Sequence, residues 1–294
     1  MSSPTVPRLQ ILAAALLFST GGAAIKATSL TSWQVASFRS GLAAVVLMLA
    51  LRAWSGWWRP RVLIVGAAYA ATMVLYVSAN KLTTAANTIF LQSTAPIYLL
   101  LLGPWLLRER LRRADLVLSA ALAVGMLMFF AGYESPLATA PNPPLGNALA
   151  ALSGLTWALT IMGLRRLGRV EGRAALSTTG SAVVAGNLLA CVVCLRAAWP
   201  VESSLPGDWI VVFYLGVFQI GLAYFWMTHG VRRVPAFETA LLLLLEPVLN
   251  VVWTGWIHAE WPGPWSLTGC AIILVATLLH TVASAGPVSR GTAA

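Results

Sequence analysis

Long apolar runs separated by short polar gaps organise this chain. Ten runs fall at approximately 9–27, 33–53, 61–80, 84–107, 114–132, 145–164, 176–197, 209–231, 236–257 and 265–285. Each is near the roughly 20 residues that a helix needs to cross the hydrocarbon core of a bilayer. The pattern predicts an all-α integral membrane protein with ten transmembrane helices. Most gaps are short and hold Pro, Gly, Arg or Trp. The longest, Glu134 to Pro144, contains Pro136, Pro141, Pro143 and Pro144 and reads as a linker between two halves. The expected units are residues 1–134 and 145–286, with five spans each. The first run has only Arg8 before it and is read as a retained span rather than a cleaved signal peptide.

Composition strengthens this reading. Hydrophobic residues make up 59% of the 294 positions and charged residues 10%, against about 25% charged in an average soluble domain. A soluble protein of this size has no interior large enough for that apolar surface, so the excess faces lipid. The same numbers exclude disordered, collagen-like and disulfide-rich classes. Cys191 and Cys194 form a C-x-x-C spacing inside an apolar run with no second pair, and Cys270 is isolated. They read as packing residues, not a metal or redox site.

The net charge of +10 would suggest nucleic acid in a soluble chain. Here the basic residues sit between apolar runs, so they set orientation and no nucleic-acid partner is expected. With the N-terminus in the cytoplasm, the inner segments hold Arg8, Arg52, Arg59, Arg61, Arg108, Arg110, Arg112, Arg113, Arg165, Arg166, Arg169, Arg173, Arg232, Arg233 and Arg290. The outer segments hold Lys26, Lys81 and Arg196, and Arg39 lies within the second span. This bias predicts a multi-pass protein of the bacterial inner membrane with both termini cytoplasmic. Lys26 and Lys81 are expected to snorkel to the outer surface. Trp33, Trp54, Trp57, Trp58, Trp105, Trp199, Trp209, Trp256, Trp261 and Trp265 cluster at run ends as an interfacial belt.

Shifted by 151 residues, the segment Thr83–Leu111 lies over Val234–Pro262 with paired Ala85/Ala236, Thr88/Thr239, Leu91/Leu242, Pro96/Pro247, Trp105/Trp256 and Glu109/Glu260. Two halves that share a fold and each cross five times must be inverted relative to one another. Such inverted repeats are the physical basis of alternating access, and they favour a transporter over a receptor.

The stretch TTAANTIFLQSTAPIYLLLLGPWLLRERL (83–111) resembles the fourth helix of an EamA repeat. The stretch VPAFETALLLLLEPVLN (234–250) resembles its second copy, with a Glu-Pro pair at Glu246–Pro247. The resemblance implies the drug/metabolite transporter superfamily and, within it, similarity to bacterial exporters of aromatic amino acids.

Pro96 and Pro247 remove a donor inside a helix and block the carbonyls of Gln92 and Leu243, four residues back. Matching interruptions in two halves point to a central binding site, with a packing kink as the plainer reading. Asn87, Thr94 and Tyr98 share one face of the fourth span, with Thr88 and Gln92 adjoining. Tyr76 and Asn80 in the third span, Gln219 and Tyr224 in the eighth, and Trp157 in the sixth complete a candidate substrate surface. Hydroxyl, amide and aromatic groups at mid-depth suit a zwitterion with an apolar or aromatic side chain; core filling is the alternative for each.

Arg39, Glu238 and Glu246 are candidate intramembrane charges, and such charges are functional hypotheses by default. Glu246 is read as a protonation site, a substrate-amine partner or a structural partner of Arg39. Glu238 lies nearer the cytoplasmic end as a substrate or gate residue. His229, His258 and His280 lack metal-ligand spacing, so no metal and no cofactor is expected. No G-x-S-x-G or G-x-x-x-x-G-K-[ST] occurs, so neither a serine hydrolase of that type nor Walker-type ATP hydrolysis is encoded. The expected function is export of a small-molecule substrate, an amino acid or similar metabolite, driven passively or by an ion gradient, with the proton one coupling candidate. Other substrate classes (a nucleotide sugar, a cationic drug) and a passive channel are the alternatives. The residues do not specify an oligomeric state.

Overall fold

The computed structural model describes residues 5–51, 56–106, 113–131, 136–171, 175–202, 204–230, 233–234 and 236–284. Arg52, Trp54, Arg108, Glu109, Arg110, Arg112, Glu134, Arg173, Arg232 and Arg290 lie outside the described residues. They carry part of the charge pattern and one member of the Glu109/Glu260 pair.

The described chain is helical: α1 (Thr5–Ser19), α2 (Gly21–Lys26), α3 (Ser32–Ala50), α4 (Pro60–Leu82), α5 (Ala85–Gln92), α6 (Ala95–Leu106), α7 (Arg113–Ala131), α8 (Pro143–Glu171), α9 (Ala175–Ala198), α10 (Pro206–Tyr214), a π-helical segment (Leu215–Leu222), α11 (Ala223–Gly230), α12 (Ala236–Leu243), α13 (Leu245–His258) and α14 (Pro264–Ser284). Among the described residues, nine helical stretches are long and apolar enough to cross a membrane. The run at 236–257 is present as α12 and α13, which meet at Leu244.

Local chemistry sets the helix ends. Thr31 and Gln34 form a capping box at the start of α3, with Gln34 N donating to Thr31 Oγ1 at 3.3 Å and Thr31 N to Gln34 Oε1 at 2.9 Å. Thr84 caps α5 by accepting from Asn87 N at 3.1 Å. Prolines open α4, α8, α10 and α14, where a missing N–H costs nothing.

Two departures from uninterrupted spans were not expected from the sequence. The first run divides at Thr20, between α1 and α2. There Ser19 Oγ donates to Leu16 O and Thr20 Oγ1 to Leu17 O, both at 2.7 Å, ahead of Gly21 and Gly22. These hydroxyls compete with the backbone ladder. The eighth run contains the π segment.

The interruption between α5 and α6 falls at Ser93 and Thr94, whose hydroxyls donate to Ile89 O at 2.7 Å and Leu91 O at 2.6 Å. The interruption between α12 and α13 falls at Leu244. The two positions differ by 244 − 93 = 151 residues, the offset that aligns Pro96 with Pro247.

Helices of the first half pack mainly on those of the second. The strongest partners are α4 with α8 and α9, α3 with α9 and the π segment, α7 with α14, α1 with α11 and α13, and α5 with α8. The crossings need small residues. A methyl on Gly186 would stand 2.9 Å from Gly66 O, and one on Gly269 would stand 2.7 Å from Gly125 O. The outer surface is apolar, with Trp58, Trp105, Trp199, Trp256, Trp261 and Trp265 exposed near helix ends.

Candidate transport cavity

A cavity of about 510 Å³ lies between the halves. Tyr76, Thr72 and Met73 reach it from the middle of α4, Trp157 from the middle of α8, and Arg39 from the middle of α3. Thr277 and Ile273 come from the middle of α14, so the cavity sits at mid-depth in the helix bundle. Leu99, Ile161, Met227 and Leu243 extend the wall toward the end at which α1 and α4 begin.

Both helix interruptions lie on its wall. Gln92, Ser93 and Pro96 line one side; Leu243, Leu244, Glu246 and Pro247 line another. A methyl on Gly154 would stand 3.2 Å from the Gln92 carbonyl, so α8 packs directly on the first interruption. Gln92 Nε2 is 3.4 Å from Ser153 Oγ. Gln219 and Ile220 line the cavity from the π segment, and Tyr224 follows one turn later. Wider turns of this kind are frequent at functional sites. The Tyr224 ring meets Tyr69 at 6.0 Å and Phe18 at 5.2 Å, centroid to centroid, which holds it against the wall.

The cavity therefore brings together Arg39, Tyr76, Gln92, Pro96, Trp157, Gln219, Tyr224, Glu246 and Pro247. Four other sequence candidates lie outside it. Asn80 is buried and donates to the Tyr76 carbonyl at 3.0 Å. Asn87 joins a polar tie between α5 and α8, with its Nδ2 3.1 Å from Asn147 Oδ1. Tyr98 donates its phenol to Ala151 O at 3.1 Å. Glu238 forms an ion pair with Arg8 at the surface, with Nη2 3.1 Å from Oε2. Asn80 is held by its own helix, whereas Asn87, Tyr98 and Glu238 find their partners on neighbouring helices.

The sequence reading missed Phe18, Thr72, Ser93 and Thr277 as wall residues. Ser93 was adjacent to the proline signal; the others carry no local mark. Lys26 corrects an expectation: it does not snorkel. Its side chain is 2% exposed and pairs with Glu260, 1% exposed, at 3.0 Å. A buried carboxylate and two backbone carbonyls supply in the interior what the interface would have supplied. Lys81 donates to the Thr28 carbonyl at 2.6 Å.

Set beside known proteins, residues 8–131 and 144–282 match the profile of the EamA-like transporter family. The chain belongs to that family. It is a multi-pass membrane transporter, not an enzyme. It is similar to the aromatic amino acid exporter YddG of Ancylobacter novellus, with 26% identity over 216 residues, 69% of this chain and 71% of that protein. It is also similar to an uncharacterized transporter, YetK of Bacillus subtilis, with 28% identity over 183 residues, 60% of this chain and 54% of that protein. One crystal structure shares its fold with a TM-score of 0.63 at 20% identity, covering 95% of this chain and 97% of that one.

Proposed function

We propose that this EamA-like transporter exports aromatic and other hydrophobic amino acids across a bacterial inner membrane by alternating access. Its ten spans form two inverted halves, residues 1–134 and 145–286, with both termini in the cytoplasm. The ninth of them, which completes the ten, is the pair α12–α13. The cavity carries the reading. It sits at mid-depth, it is walled by rings and by amide, hydroxyl and charged groups, and a helix interruption from each half borders it.

Three observations support the inverted arrangement. The interruptions share the 151-residue offset. The strongest helix pairs are unchanged when first-half spans are exchanged for their second-half counterparts: the third span on the sixth becomes the eighth on the first, and both pairs are in contact. The second–seventh and fifth–tenth pairs map onto themselves. Alternating access follows if the halves exchange conformations. On this topology, Leu99, Ile161, Met227 and Leu243 lie toward the cytoplasm, and the buried Lys26–Glu260 pair closes the outer end. The conformation is then inward-facing, ready to load from the cytoplasm.

The test is counterflow in proteoliposomes preloaded with phenylalanine or tryptophan. Saturable accumulation of labelled amino acid is expected. Competition by a nucleotide sugar or an organic cation, but not by amino acids, would overturn the substrate class. Flux without saturation or counterflow would overturn alternating access in favour of a channel.

A further inference from the structure

A charge in a membrane interior is costly unless it is partnered, so its partner identifies its use. Arg39 is 1% exposed at the middle of α3 and lines the cavity. Its Nη2 stands 3.4 Å from the Met73 carbonyl and 3.7 Å from the Met73 sulfur. The first is a long hydrogen bond and the second a weak one. Its Nε is buried and has no partner. Among the described residues no carboxylate forms an ion pair with it.

Glu246, in the first turn of α13, lines the same cavity and likewise forms no ion pair among the described residues. The lining of one cavity thus holds a basic and an acidic side chain that do not pair with each other. Lys26 and Glu260 show the contrary solution, in which buried opposite charges meet directly. A guanidinium fork suits a carboxylate in two-pronged contact, and a carboxylate accepts from an ammonium group.

We infer that Arg39 receives the α-carboxylate of the substrate and Glu246 its α-ammonium group, which makes this cavity selective for zwitterionic amino acids. The rings of Tyr76, Trp157 and Tyr224 on the same walls are left to contact the side chain. The inference rests on the transport function proposed above and specifies how that cavity recognises charge.

The test is counterflow of labelled phenylalanine by the full chain in liposomes, challenged with phenethylamine, which lacks the carboxylate, and 3-phenylpropionate, which lacks the ammonium group. In the wild type each analogue should compete about tenfold or more weakly than phenylalanine, the loss expected for one charged hydrogen-bonding group. Arg39→Gln should abolish the preference for phenylalanine over phenethylamine and keep discrimination against 3-phenylpropionate. Glu246→Gln should do the reverse. Arg39→Lys, which keeps the charge without the fork, should restore part of the preference. Wild-type protein that competes equally with all three compounds overturns the charge assignment while transport stands, and this arm needs no variant to fold. Arg39→Gln protein with the wild-type preference overturns it too. Wild-type protein without phenylalanine counterflow overturns the transport reading itself.

Discussion

Lys26 at the end of α2 and Glu260 just beyond α13 form a 3.0 Å ion pair that is almost sealed from solvent. Glu260 Oε1 also accepts from Ala85 N at the start of α5, at 2.6 Å. Lys26 donates to the carbonyl of Thr83 at 2.8 Å and to that of Thr139. One pair therefore fastens the end of the first span to the fourth and ninth spans and to the connection before α8. Removing one member leaves the other charged and buried. Lys26→Met or Glu260→Gln should each destabilise the protein by about 3–5 kcal/mol. The double replacement Lys26→Met/Glu260→Met should cost clearly less than the sum. Melting temperatures in detergent measure this, and additive losses would count against a coupled pair.

Glycine positions separate close packing from open space. A methyl on Gly146 would meet the Thr83 Cβ at 2.5 Å and its backbone nitrogen at 2.6 Å, so α8 would have to move off the α4–α5 turn. Gly146→Ala should cost about 1–3 kcal/mol and lower the melting temperature. Gly103, inside α6, has nothing within 4 Å of that point. Gly103→Ala should stabilise the helix by about 1 kcal/mol. Equal effects of the two substitutions would refute the packing described for α8.

Gln92 lines the cavity while Tyr98, two turns on, is bonded to Ala151 O. Gln92→Ala should reduce amino acid counterflow several-fold with little change in melting temperature. Tyr98→Phe should leave counterflow near the wild-type rate and cost about 1 kcal/mol of stability, the worth of one hydrogen bond. The reverse pattern would relocate the binding surface to the face that carries Tyr98.

Pro96 and Pro247 each lie just beyond an interruption on the cavity wall. Alanine at either position restores an N–H and removes a ring clash with the carbonyl four residues back. Pro96→Ala and Pro247→Ala should each lower the counterflow rate several-fold without lowering the melting temperature. If the halves exchange roles, the two reductions should be similar. Loss on one side alone, measured in both directions across the vesicle, would argue against equivalent halves.

Several features were legible in the sequence because their causes are local. Nine expected spans coincide with helices because bilayer thickness and backbone hydrogen bonding dictate their length. The interruptions beside Pro96 and Pro247 were legible because proline acts on its own helix. The break at Thr20 and the π segment at Leu215–Leu222 were not. Serine, threonine and glycine occur throughout these spans, and only packing decides which of them interrupt a helix.

By itself the sequence determined that this is a helical membrane protein, how long its crossings are, where two of them break and which transporter family it joins. Hydrocarbon imposes those properties on each segment separately. Tertiary structure alone decided which polar groups meet. Arg39, Tyr76, Gln92, Trp157, Gln219, Tyr224 and Glu246 converge on one cavity, while Asn87, Tyr98 and Glu238 bond to neighbouring helices and Asn80 to its own. Lys26 finds Glu260 across 260 − 26 = 234 positions of chain. The physical reason is that a span apolar on every side does not mark which face meets lipid and which meets another helix. That choice is made only when the spans pack.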